Sequence, residues 1–110
     1  KDIIDMRQPI SKETAGRIED MCNFALDVLD DACLSMFKRD YEAADRAIEK
    51  ARRIYELEKA VIKSIPRARD ANEMYRTKLI TDNIRRVAEY ASDIAEIVLN
   101  MTVQQTIRKT

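Results

Sequence analysis

Apolar residues recur every three or four positions along three long segments of the chain. This period is that of an amphipathic α-helix, in which one stripe of side chains faces a core. A single glycine and two prolines are too few for the turns of a β-sheet, so we predict an all-α fold. The stripes predicted to be buried are Ile18, Met21, Cys22, Ala25, Val28, Leu29, Ala32, Cys33 and Met36; Ala44, Ala47, Ile48, Ala51, Ile54, Tyr55, Val61, Ile62 and Ile65; and Ile80, Ile84, Val87, Ala88, Ala91, Ile94, Ala95, Val98 and Met101.

The ends of the three helices are marked by capping and helix-breaking residues. Ser11 and Asp40 precede the first and second stripes, where their side chains can accept hydrogen bonds from free backbone N–H groups. Pro66 ends the second helix, and Asp70 with Glu73 has the spacing of a capping box before the third. The connections between the predicted helices are short. Short connections make neighbouring helices antiparallel, which predicts an up-down-up three-helix bundle.

The length of 110 residues is that of one domain. We predict an N-terminal linker at 1–9, the three-helix domain at 10–106 and a C-terminal tail at 107–110. Because the sequence begins with Lys1 rather than Met, we expect further chain upstream.

The composition excludes several classes of function. Twenty basic and twenty acidic side chains cancel, so the domain lacks the positive charge that attracts nucleic acid. No apolar run is long enough for insertion into a membrane, and no signal-peptide pattern opens the chain. Cys22 and Cys33 are predicted to be reduced thiols of the core, which favours a cytoplasmic location.

Nothing in the sequence has the pattern of an enzyme active site. The chain has no histidine, so a base of that kind for a serine or cysteine nucleophile is missing. One glycine cannot build a phosphate-binding loop. We therefore predict that the domain is not an enzyme.

Two pairs of carboxylates stand one helical turn apart, Asp27 with Asp31 and Glu89 with Asp93. Oxygen ligands at this spacing can hold hard cations such as divalent metals or ferric iron. The same residues lie opposite the apolar stripes, so they are equally typical of a solvated helix face. These four residues are the candidate metal ligands, and both interpretations stay open.

The segment RRVAEYASDIAE at 85–96 resembles the third-helix signature of the PhoU family of phosphate-uptake regulators. The segments DYEAA at 40–44 and IYELE at 54–58 are similar to its second helix, and the likeness covers roughly residues 10–103. The resemblance implies a three-helix PhoU domain, a unit that usually occurs twice per polypeptide.

The resemblance also implies partners and a location. Members link a phosphate ABC transporter to a sensor histidine kinase and lower phosphate uptake when phosphate is plentiful. A transporter, a kinase or a sister PhoU domain are the implied protein partners, with a homodimer or an intramolecular domain pair. The implied location is the cytoplasm, at the inner face of the membrane when a transporter is bound.

Family members bind iron or other metals through acidic motifs on the bundle surface, although no cofactor is required. This chain departs from those motifs. The ligand positions of helix two fall on Ala51 and Tyr55, and those of helix three fall on Arg85 and Glu89.

The sequence is compatible with three functions. The first is a regulatory domain that acts by protein contact in phosphate transport and phosphate-starvation signalling. The second is a metal-binding carboxylate bundle. The third is a structural or dimerisation bundle attached to a DNA-binding or ion-channel regulatory domain.

Overall fold

A computed structural model describes residues 11–65 and 71–109, with side chains described as far as residue 101. Three helices occupy these ranges: α1 (Lys12–Lys38), α2 (Tyr41–Lys63) and α3 (Ala71–Lys109). Each helix packs against both of the others, and the described residues contain no strand. The predicted all-α three-helix bundle is confirmed.

Local side chains set the first two helix starts as the sequence indicated. Ser11 Oγ accepts a hydrogen bond of 3.1 Å from the Thr14 backbone N–H, and Asp40 accepts one of 3.1 Å from that of Ala43. Between α1 and α2 the chain turns at Arg39, whose φ of 52° is left-handed, a common way to end a helix. Pro66 and Asp70 lie outside the described residues.

Contacts between helices fix their directions. Thr14 at the start of α1 makes a hydroxyl hydrogen bond of 2.8 Å with Ser64 just beyond the end of α2. Between α2 and α3, Tyr55 contacts Glu89 and Glu58 contacts Arg85. The residue number on α3 therefore falls as the residue number on α2 rises. Both pairs of neighbours are therefore antiparallel, and the order is up-down-up.

Small residues dominate the core, which lets the helix axes approach closely. Phe24 is half-buried and packs against both halves of this core. One half contains Val28, Ala32, Ala44, Ala47, Ala51, Ala91 and Ala95, and the other contains Met21, Ala25, Ile54, Val61 and Ala88.

The prediction of burial is wrong at some positions. Ile80 is 38% exposed and Met101 is 55% exposed, whereas Thr77 and Thr81 are fully buried. At 100° per residue, Ile80 lies about 80° from the line through the two threonines, so they face the core in its place. Cys22, predicted as a core thiol, is exposed.

Candidate functional site

The outer side of α2 and α3 carries two grooves, one on each side of a charged cluster at its middle. The first groove has a volume of about 660 Å³ and the second about 420 Å³. The first is lined by Glu58, Lys59, Ile62, Lys63, Tyr75, Lys78, Leu79, Asp82 and Arg85. The second is lined by Ile48, Ala51, Arg52, Tyr55, Glu89, Ser92, Asp93 and Glu96.

Arg85 is the centre of the charged cluster between these grooves. Its guanidinium donates a hydrogen bond of 2.7 Å to Glu58 on α2 and another to Asp82 on its own helix. A third carboxylate, that of Glu89, lies 3.6 Å from Arg85 Nε. The hydrogen bond to Glu58 is the main cause that raises the pKa of Arg85, with Asp82 adding to it. One cation thus joins carboxylates from two helices.

Tyr55 completes this cluster from α2. Its hydroxyl donates a hydrogen bond of 2.5 Å to Glu89 Oε2. This bond to a carboxylate favours the neutral phenol and raises the pKa of Tyr55. We call Tyr55, Glu58, Asp82, Arg85 and Glu89 the Arg85 cluster.

A second charged cluster lies between α1 and α2. Lys50 Nζ donates hydrogen bonds of 2.7 Å to Asp27 and 2.9 Å to Asp31, and these bonds raise the pKa of Lys50. Arg46 Nε lies 3.6 Å from Asp31. We call Asp27, Asp31, Arg46 and Lys50 the Lys50 cluster.

The structure places the predicted metal ligands on two different helix pairs. Asp27 and Asp31 belong to the Lys50 cluster, whereas Glu89 belongs to the Arg85 cluster and Asp93 lines the second groove. The four side chains are thus not brought together. Asp31, expected on a solvated face, is 7% exposed, because Lys50 and Arg46 of α2 cover it.

These arrangements do not fit a metal ion. Lys50 bonds both carboxylates of the first pair, and Arg85 lies beside Glu89 of the second. Each cation repels a metal from the oxygens that it contacts. Within 11–65 and 71–101, no three acidic or cysteine side chains are grouped to hold a metal. The metal assignment therefore stays a prediction, which metal analysis can test.

Sequence reasoning missed Lys50, which binds Asp27 and Asp31, and it missed Glu58 and Asp82, which bind Arg85 beside Glu89. A signal for Glu58 was present. In an antiparallel helix pair the numbers of facing residues have a nearly constant sum, and Tyr55 with Glu89 gives nearly the same sum as Glu58 with Arg85. Fixing one contact between α2 and α3 would have predicted the other.

A comparison with protein families identifies this bundle. The model of the PhoU domain matches residues 18–98, which covers most of α1, all of α2 and α3 as far as Val98. The chain belongs to the PhoU domain family. Comparisons with curated proteins and with solved structures found no match.

Membership in the PhoU family places the chain among regulators of phosphate transport, a family that is not catalytic. The family resemblance implied acidic metal ligands at positions where this PhoU domain has other residues. Ala51 is 7% exposed in the core, and Tyr55 and Arg85 are members of the Arg85 cluster. Across the described part of the chain, no helix has the length and apolar character needed to cross a membrane.

Proposed function

We propose that this PhoU domain regulates phosphate transport and phosphate-starvation signalling by contact with other proteins, and not by catalysis. The observation that carries the proposal is the family match over residues 18–98, on a bundle with the corresponding three helices. The partners proposed are a phosphate ABC transporter and a sensor kinase. The proposed location is the cytoplasm, at the inner face of the membrane when the transporter is bound.

The surface of the domain supports action by contact. Large side chains are exposed on the α2–α3 face, with Tyr75 at 65% and Leu79 at 47%. Tyrosine is enriched in protein interfaces because it combines apolar area with a polar group. Both residues line the first groove, beside exposed lysines. Such a surface is suited to docking a protein.

Deletion of the gene tests the proposal. We expect phosphate uptake and the expression of phosphate-starvation genes to change in the deletion strain, and the intact gene to restore both. The measurements are uptake of labelled phosphate and a starvation-promoter reporter, at high and at low phosphate. If neither responds to the deletion, the proposed function is wrong.

Direct binding to the named partners provides a second measurement. We expect the purified domain to bind the cytoplasmic part of the transporter or of the kinase, measured by calorimetry. A matched pair of variants locates the contact. Lys59→Glu with Lys78→Glu alters the first groove, whereas Glu19→Lys with Asp20→Lys alters exposed positions of α1. Binding lost by the first pair alone would place the contact on the α2–α3 face.

A further inference from the structure

The first groove of the α2–α3 face carries positive charge that is free for a ligand. It is lined by four cationic side chains and two carboxylates, for a net charge of +2. Arg85 already binds both carboxylates. Each of the other three cations is exposed and forms no ion pair with another described residue; they are Lys59, Lys63 and Lys78. An anion in this groove would therefore contact the lysines without displacing an existing partner.

Lysines of both helices lie at one level of this groove. Lys63 is on α2 and Lys78 is on α3. Because the two helices are antiparallel and Glu58 contacts Arg85, Lys63 lies opposite about residue 80 of α3. Lys63 and Lys78 are thus separated by only about 3 Å along the bundle axis, at about 1.5 Å per residue. Cations from opposite walls can contact the same anionic group.

Apolar surface adjoins these lysines. Tyr75 precedes Lys78 by about one helical turn and is 65% exposed, and Leu79 is 47% exposed. The half-buried Ile62 contributes from α2. A flat ring can pack against the tyrosine in an offset stack. The groove volume of about 660 Å³ is within the range of about 300–1,000 Å³ that is typical of small-molecule sites.

We propose that the first groove binds a nucleoside diphosphate, with its phosphates between Lys63 and Lys78 and its base on Tyr75. The ammonium of lysine binds phosphate oxygens as a compact point charge. Inorganic phosphate alone would leave the apolar part of the groove in contact with water, whereas a base covers it. The second groove has one arginine and three carboxylates, so its net charge of −2 repels the same ligand.

Titration calorimetry with three probes separates the contribution of the phosphates from that of the base. The probes are ADP, inorganic pyrophosphate and adenosine, each added to the 110-residue chain in magnesium-free buffer. We expect ADP to bind at least about fivefold more tightly than pyrophosphate, because its base stacks on an aromatic side chain. Adenosine lacks the phosphates and should bind at least about tenfold more weakly than ADP. The affinity for ADP should fall as salt is raised.

Two groove variants test the two halves of the site. Lys63→Gln with Lys78→Gln removes two of the free charges and should weaken ADP and pyrophosphate alike, by at least about tenfold. Tyr75→Ala removes the ring and should weaken ADP by at least about fivefold, with the affinity for pyrophosphate unchanged. Neither variant removes an ion pair found among the described residues, so both are expected to fold, as circular dichroism checks.

Each groove variant has a matched control. Lys12→Gln with Lys38→Gln removes two exposed lysines of α1. Tyr90→Ala removes a tyrosine of α3 that is 63% exposed and lines neither groove. Both controls should bind ADP as the wild type does.

Three outcomes overturn the proposal. In the first, ADP binds no more tightly than pyrophosphate. In the second, the groove variants bind ADP as the wild type does. In the third, a polyglutamate peptide binds and ADP does not, which would assign the groove to an acidic protein segment. This inference goes beyond the proposed function and does not depend on it, because the purified chain can bind a nucleotide whether or not it regulates phosphate transport.

Discussion

The Lys50 cluster and the Arg85 cluster place a cation among carboxylates between antiparallel helices, but they are built differently. Lys50 donates to two carboxylates of one helix, and Arg46 is a second cation beside one of them, Asp31. Arg85 binds carboxylates from two helices, and among the described residues no other cation contacts Glu58 or Glu89. The planar guanidinium of arginine presents five N–H donors in a fixed geometry, whereas the ammonium of lysine has three on a flexible side chain. The bundle therefore depends more on the arginine than on the lysine.

Arg85→Ala gives the largest effect that this comparison predicts. The substitution leaves three carboxylates close together without their shared cation, and two of them, Glu58 and Asp82, are only 20% and 35% exposed. We expect the free energy of unfolding to fall by about 1–3 kcal/mol. The measurement is urea denaturation followed by circular dichroism.

Arg86→Ala is the matched control for that measurement. Arg86 is the next residue of the same helix, is 58% exposed, and makes one ion pair of 3.5 Å with Asp82. An exposed pair of this kind contributes about 0–1 kcal/mol, so we expect a loss near the lower limit. Equal losses for the two alanine variants would show that the Arg85 cluster has no special role.

The helices could be predicted from the sequence because their causes are local. The cap formed by Ser11 accepts from Thr14, and that formed by Asp40 accepts from Ala43, each three residues along the chain. The buried stripe of α3 was harder to predict, because Thr77 and Thr81 occupy core positions and a search for apolar residues does not include threonine. Each is β-branched and compact, so it can pack like a small aliphatic side chain.

The candidate site could be predicted only in part. Spacing within one helix identified Asp27 with Asp31 and Glu89 with Asp93 as neighbours. What surrounds them depends on the register of the other helices, which a pattern within one helix does not contain. For this reason the burial of Asp31 beneath the side chains of α2 was unexpected.

A double-mutant cycle tests whether Arg46 can neutralise Asp31 when Lys50 is removed. We expect Lys50→Ala alone to cost about 1 kcal/mol or less, because Arg46 can still neutralise the buried Asp31. Removal of both cations leaves that carboxylate, whose side chain is 10% exposed, without one. The double variant should then lose more than the sum of the single losses, by about 0.5–1 kcal/mol. If the losses in free energy of unfolding are additive, Arg46 does not take over the role of Lys50.

Divalent cations test whether these side chains take the place of a metal. Because no three acidic side chains among the described residues are grouped to hold a metal, we expect millimolar Mn²⁺ to leave the free energy of unfolding of the Arg85→Ala variant unchanged. The wild type should not respond either, because Arg85 also repels a cation from these carboxylates. Elemental analysis of the wild type prepared without chelators is the companion measurement. About one equivalent of a transition metal would contradict the expectation and support the carboxylates as metal ligands.

Tyr55→Phe gives the smallest effect and separates the hydroxyl from the guanidinium within the Arg85 cluster. Glu89 keeps Arg85 at 3.6 Å and is 40% exposed, so we expect a loss of at most about 0.5 kcal/mol near neutral pH. The hydrogen bond to Glu89 raises the pKa of Tyr55 above its ordinary value near 10. The stabilisation is therefore fully present below about pH 10 and disappears as pH rises through the raised pKa of the folded state.

Absorbance of tyrosinate measures this titration directly. The chain has four tyrosines, and we expect one component to ionise above the others. That component should vanish in Tyr55→Phe and should move to lower pH in Glu89→Gln, where the carboxylate charge is gone. Tyr90→Phe is the control, since Tyr90 is 63% exposed and forms no hydrogen bond with another described side chain. If that control removes the late component instead, Tyr55 does not donate to Glu89 in solution, and the cluster is held by Arg85 without it.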